Sequence, residues 1–203
     1  MYYSQCVLNS IKPVNPYLLH KIIWQLFPDQ GDEKRSFLFR VENLGQNGVQ
    51  HILLQSSDEP HPANGELVLL NTPKKVQFNG IINGASYRFL LRANPTKRIK
   101  DSGGKTTNQG KVRVPIIDED EIIAWLSRQF ESIADIKEVS LARQDLLYFR
   151  KDKGNQNHVG KIQTVTYSGI LTVIEAKSLV NKMIEGIGPA KAFGCGLLTL
   201  AKI

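Results

Sequence analysis

The sequence predicts an α+β chain built as two compact units in tandem, and three observations carry that prediction. Strand-like and helix-like stretches alternate along all 203 residues. The pattern of the first half recurs loosely in the second, without a residue-level repeat. One short segment of the middle holds the chain's whole excess of positive charge.

Tyr2–Leu8 forms the first strand-like run. Asn15-Pro16 then supplies a helix N-cap and a first-turn proline, opening a helix over Tyr17–Phe27 that Pro28 stops. Leu19, Ile22, Ile23 and Leu26 fall at i, i+3, i+4 and i+7, one buried stripe. Strands are predicted at Ser36–Glu42 and His51–Ser56, joined by the turn-rich connector Asn43–Gly48. Lys75–Phe78 and Ser86–Ala93 supply a third strand-like pair. This order is compatible with a ferredoxin-like α/β sandwich.

Residues 95–113 carry proline, paired glycines, Asn and Gln between strand-like ends, which predicts a long hairpin projecting from the first half. Over the slightly wider window Arg88–Arg113, Arg88, Arg92, Lys97, Arg98, Lys100, Lys105, Lys111 and Arg113 stand against Asp101 alone, so that window matches the chain's net charge of +7. A cluster of this kind is the electrostatic footprint of a polyphosphate partner and points to nucleic acid. A solvated hairpin kept soluble by its lysines is the plainer account, and an even spread of charge would have favoured it.

The second half opens on Asp118–Glu121, acids that suit a helix N-terminus. Ile122, Ile123, Leu126 and Phe130 give that helix a core face. Strand-like runs follow at Lys137–Ala142 and Lys161–Val173, then a helix over Glu175–Gly186 with Leu179, Val180, Met183 and Ile184 inward. A glycine-rich loop, Gly186–Gly196, and a final strand close the chain. The unit boundary is set at 115/116. Residues 1–115 carry the first helix and the basic hairpin, and 116–203 carry the glycine-rich loop.

Several classes are disfavoured. No window is long and apolar enough for a membrane helix. Cys6 and Cys195, far apart in sequence, fit free thiols in a reducing compartment, with the cytoplasm as default. Four scattered histidines and two cysteines make no metal-ligand spacing, and Asp118–Glu121 are consecutive and suit a helix start better than a two-metal site. Neither metal nor other cofactor is expected.

Three places could carry chemistry. Tyr17, His20, Lys21 and Trp24 share the helix face opposite the apolar stripe, and Tyr, His and Lys together can move protons and balance a phosphate. Packing against another element is the plainer account of that face taken alone, and the basic segment and the glycine loop add weight to the chemical one. Gly186, Gly188, Gly194 and Gly196, with Lys191 among them, could present backbone N–H groups to phosphate; a turn between helix and edge strand is the plainer reading. Lys161 leaves a polar stretch, Lys151–Gly160, at the head of a strand. With no acid cluster, RNA cleavage would fall to the 2′-OH as internal nucleophile.

Six segments in order then carry a resemblance over essentially the whole chain: Tyr17–Pro28, Phe37–Glu42, Tyr87–Pro95, Lys111–Pro115, Gly160–Val165 and Gly186–Gly196. The sequence resembles the CasE-type CRISPR RNA endoribonucleases. That resemblance implies two ferredoxin-like (RRM-like) domains, a CRISPR repeat stem-loop RNA as ligand, and other Cascade subunits as partners. It implies metal-independent cleavage at the 3′ base of the stem, leaving a 2′,3′-cyclic phosphate and a 5′-hydroxyl. Carried over, His20 is the general acid, Tyr17 orients the 2′-OH and Lys161 faces the phosphate. Lys21 is grouped with the RNA-binding residues, its catalytic role open. The 186–196 loop grips RNA backbone, and the basic hairpin follows the stem's phosphates. A non-catalytic RNA-binding subunit on the same fold is the alternative, and a protein-interaction module a third reading.

Overall fold

The computed structural model describes residues 1–8, 15–28, 35–44, 49–62, 65, 67–100, 111–153 and 156–203. Tyr2–Leu8 (β1), Phe37–Leu44 (β2), Gln50–Ser56 (β3), Leu67–Leu69 (β4) and Lys74–Lys75 (β5) form a first antiparallel sheet in the order β2-β3-β1-β4. β5 pairs with the start of β1, where Tyr2 faces Lys75. The helix Pro16–Trp24 (α1) covers one face of this sheet. Its apolar stripe seats as the i, i+3, i+4, i+7 spacing demands: Leu19, Ile23 and Leu26 are buried against Cys6, Leu8, Phe39, Ile52 and Leu54. Each such burial contributes about 1.5–3 kcal/mol.

The second sheet consists of Ser86–Ala93 (β6), Ala134–Lys153 (β9), Gln156–Val173 (β10) and Leu198–Lys202 (β11), in the order β11-β6-β10-β9. Glu119–Phe130 (α2) and Ala176–Glu185 (α3) pack on one face of it. Tyr87, Phe89, Leu91 and Ala93 alternate inward beneath Ile122, Trp125, Leu126, Phe130, Leu179 and Met183. The acids of α2 cap as expected, with Asp118 accepting from Glu121 N at 2.9 Å. Both sheets thus share the strand order of a ferredoxin-like fold, and no helix among the described residues is long and apolar enough to cross a membrane.

Several expectations need correction. Ser86–Ala93 does not pair with Lys75–Phe78. Its inward residues belong to the second core, and it lies between β10 and β11. By sheets and cores the chain divides between Lys75 and Ser86, and not at 115/116. The hairpin Thr96–Lys100 (β7) and Lys111–Pro115 (β8) is therefore an insertion in the second unit, between its first strand and first helix. The run Lys137–Ala142 is part of the longer β9, and Lys161 lies inside β10 and not at its head, opposite Tyr148. Ile184 is exposed, 41 % accessible, because α3 turns only Leu179 and Met183 fully inward. The turn at 45–48 and Lys105 lie outside the described residues.

A few polar side chains join the units. Arg40 of β2 is buried and donates Nη1 to Leu90 O and Leu197 O, both at 3.1 Å, and Nη2 to Thr199 Oγ1 at 3.1 Å. Gln55 Nε2 donates to Met183 O at 2.9 Å, while its Oε1 accepts from the Tyr3 hydroxyl at 2.6 Å. Buried polar groups so paired fix one relative placement of two units.

Candidate RNA-processing site

The N-terminus of α1 is pinned twice by one residue. Asn15 Oδ1 accepts from Tyr17 N at 3.1 Å, the N-cap bond, and Asn15 Nδ2 donates to Arg150 O of β9 at 2.8 Å. Arg150 pairs with Val159, and two positions down the ladder Tyr148 pairs with Lys161. The start of the Tyr17 helix is thereby fixed to the same two-stranded ribbon that carries Lys161, an exposed side chain. Lys21 is exposed too, and its Nζ lies 5.0 Å from the centre of the Tyr17 ring, a cation–π contact.

His20 is half-buried in an aromatic cluster, so this helix face packs against another element, one of the two readings its residues allow. Its ring lies 5.5 Å from Phe37 and 6.2 Å from Trp24, and Trp24 meets Phe37 edge-on at 5.2 Å. Phe27 stacks on the same Phe37 ring at 5.4 Å. Nε2 of His20 is sealed from solvent and finds no hydrogen-bond partner among the described residues. Burial, and secondarily the positive charge of Arg35, push its pKa down to about 4. The imidazole is therefore neutral at pH 7 in the RNA-free protein, and an acid's role requires a change in its surroundings.

Sequence reasoning missed Arg35. Its guanidinium is also held below its usual pKa by burial, and its Nε has no partner among the described residues. The available signal was its position two residues before β2, whose first residue, Phe37, packs on His20.

The hairpin presents its charge outward. Lys97, Arg98, Lys100, Lys111 and Arg113 are all exposed, as is Arg88 on β6. Lys97 Nζ meets Glu121 Oε2 of α2 at 2.5 Å. Arg92 turns inward: it bonds Thr164 Oγ1 at 3.2 Å and Asp145 Oδ2 at 3.3 Å, its side chain 12 % accessible. A cleft of about 460 Å³ brings Lys97, Arg98 and Arg113 together with Gly188 and Pro189, so hairpin and glycine loop share one surface.

That loop is built differently from the expected phosphate cradle. The N–H groups of Gly186, Gly194 and Gly196 donate to Lys182 O, Lys191 O and Arg92 O, at 2.9, 3.3 and 2.7 Å. Lys191 Nζ donates to Glu185 O at 2.7 Å, satisfying a carbonyl at the end of α3. Glycine is required for fit: Gly186 and Gly188 have φ of +80° and +76°, and a Cβ there would lie 2.8 Å from Leu38 and 2.9 Å from Trp125. Gly194 and Gly196 are buried. The loop is a seam between the two units, with its Gly188-Pro189 turn facing the basic cleft. Among the described residues, no three His, Cys, Asp or Glu side chains gather as a metal site would need.

Comparison with known proteins covers the chain from end to end. CasE, a subunit of the CRISPR system Cascade from Escherichia coli, is 37 % identical over 206 residues, with both chains covered in full. The CRISPR-associated endoribonuclease Cse3 of Thermus thermophilus is 28 % identical over 219 residues, covering 99 % of this chain and all of the relative. A solved structure of a Cse3 endoribonuclease bound to 19-nucleotide RNA superposes with a TM-score of 0.81 at 27 % identity, covering 99 % of this chain and 100 % of that one. The family described as CRISPR associated protein matches residues 1–202, and the chain belongs to that family.

Proposed function

We propose that this protein is an endoribonuclease that processes CRISPR transcripts: it binds the repeat stem-loop, cuts at the 3′ base of the stem and retains the product as a Cascade subunit. The observation that carries this is the full-length likeness to an endoribonuclease solved with RNA bound. Attack by the RNA's own 2′-OH gives a 2′,3′-cyclic phosphate and a 5′-hydroxyl, and needs no metal. The chain must align that attack, supply a proton to the departing 5′-oxygen and offset the charge on phosphorus. Tyr17 orients the 2′-OH, and Lys161 approaches the phosphate from the ribbon pinned to the same helix. His20 is the proton carrier. A phosphate beside it favours the imidazolium, so RNA itself restores the acid that burial suppresses. The exposed cations of the hairpin lie along the stem, whose A-form geometry offers phosphates more readily than base edges. Free thiols at Cys6 and Cys195 suit a reducing cytoplasm.

The test is incubation with the cognate repeat RNA in EDTA, with the product ends mapped. The wild type should cut and leave a cyclic phosphate, while His20→Ala binds without cutting. Uncut RNA with the wild type, or unchanged cutting by the variant, overturns the reading. The aromatic packing of His20 favours a second reading, a non-catalytic RNA-binding subunit, for which the same assay shows binding and no product.

A further inference from the structure

We propose that Arg35 is a further residue of the reaction centre, its guanidinium binding the scissile phosphate beside His20; this rests on His20 lying at the cut bond. Arg35 lies two residues before Phe37, the first residue of β2. Phe37 is the ring against His20, and the charge of Arg35 is near enough to that imidazole to act on it.

The contrast with Arg40 shows what Arg35 lacks. Arg40 spends its guanidinium on Glu42, Leu90, Leu197 and Thr199. Arg35 is half-buried, its Nε is sealed from solvent without a partner, and none of the ion pairs among the described residues includes it. A desolvated guanidinium without an anion is costly, and buried charges are ordinarily paired. His20 Nε2 is sealed and unpartnered as well, and the charge of Arg35 reaches it. A donor and an imidazole nitrogen, close enough to interact electrostatically, are thus both without a hydrogen-bond partner among the described residues. A phosphate oxygen answers both, accepting from the guanidinium fork and from a protonated imidazole. Its charge also offsets the repulsion by which Arg35 keeps a proton off His20. The other cation on this face, Lys21, lies over Tyr17 and leaves that task to Arg35.

The experiment isolates the charge of one phosphate. Binding is measured for wild type and Arg35→Gln on repeat RNA with a 2′-deoxy at the attacking position, so that nothing is cut. It is then repeated on the same RNA with a neutral methylphosphonate at the scissile position. A lost charge-assisted bond should weaken binding about 10-fold or more on the charged RNA. On the neutral RNA the two proteins should agree within about 2-fold. Cleavage of unmodified RNA should fall about 100-fold or more, the scale of one lost transition-state donor, while the melting temperature of the RNA-free protein is not lowered. If Gln unfolds the protein, Arg35→Lys carries the same comparison, losing the fork while keeping a point charge, with a smaller loss again confined to charged RNA. Equal loss on both RNAs, or none on either, removes Arg35 from the phosphate. In that case His20→Ala still fails to cut if His20 is placed correctly, whereas normal cutting by that variant removes the placement itself.

Discussion

Gly160 lies directly beneath the ring of Phe149, its partner across β9 and β10: a Cβ on Gly160 would stand 2.1 Å from Cζ of Phe149. The Phe149 ring in turn lies 4.7 Å from Phe193, in the 3-10 helix Lys191–Phe193 of the glycine loop. One glycine therefore lets an aromatic pair tie the Lys161 ribbon to that loop.

Gly160→Ala is expected to drive Phe149 off its seat and to cost about 1–3 kcal/mol, the range for overpacked sites. Thermal melting should drop accordingly, and adding Phe149→Leu should recover part of the loss. A melting temperature equal to wild type would show that the ring has room to spare.

Arg40→Met removes the donors to Leu90 O and Leu197 O and strands Glu42. Leu90 O keeps a bond from Thr199 Oγ1 and the Glu42 carboxylate is exposed, so the lost guanidinium bonds are expected to cost about 1–3 kcal/mol. Urea denaturation would read it as a lower midpoint. Because this residue bridges the sheets, a second transition for one unit alone is the signature to look for.

His20 makes stability depend on pH in a defined direction. Its folded pKa of about 4 lies below the ordinary 6.5, so between those values the unfolded chain holds a proton the folded chain does not. This residue therefore withdraws stability as pH falls from 6.5 toward 4 and contributes nothing above that window. His20→Phe should flatten the decline of urea midpoints as pH is lowered from about 7.5 to about 5. Parallel curves for the two RNA-free proteins would contradict the buried, neutral imidazole.

Charge on the hairpin should be read in salt titrations. Arg98→Gln and Arg113→Gln each lower the slope of log affinity for repeat RNA against log salt by about 1. Arg92→Gln should leave the slope alone and lower the melting temperature, since its guanidinium is committed to Asp145 and Thr164. A lowered slope with Arg92→Gln would mean that RNA displaces that internal pair.

Much of this was legible in the sequence. The N-cap of α1, the stripe of Leu19 and Ile23 and the acids opening α2 follow from local rules, and each formed as expected. Pairing partners were not legible: Ser86–Ala93 reads as a strand anywhere, and only the distant β10 and β11 decide which sheet takes it. The hairpin was recognised from charge and turns, but its ownership followed that strand. Burial of the site was hidden for the same reason. Tyr17, His20 and Trp24 share a helix face, and nothing local says that Phe37 will close over it or that Arg35 Nε will be sealed without a partner among the described residues. The glycine run showed its need for unusual backbone but not its cause, the side chains of Leu38 and Trp125, both remote in sequence.

Thr96 and Pro115 face each other as the first rung of the hairpin ladder. The insertion thus leaves and re-enters the second unit at a single point, and the domain would close without it. Its two strands pair only with each other, whereas the strands beneath it are tied to a buried core. Removing that one ribbon would accordingly leave the strand pairing of both sheets intact.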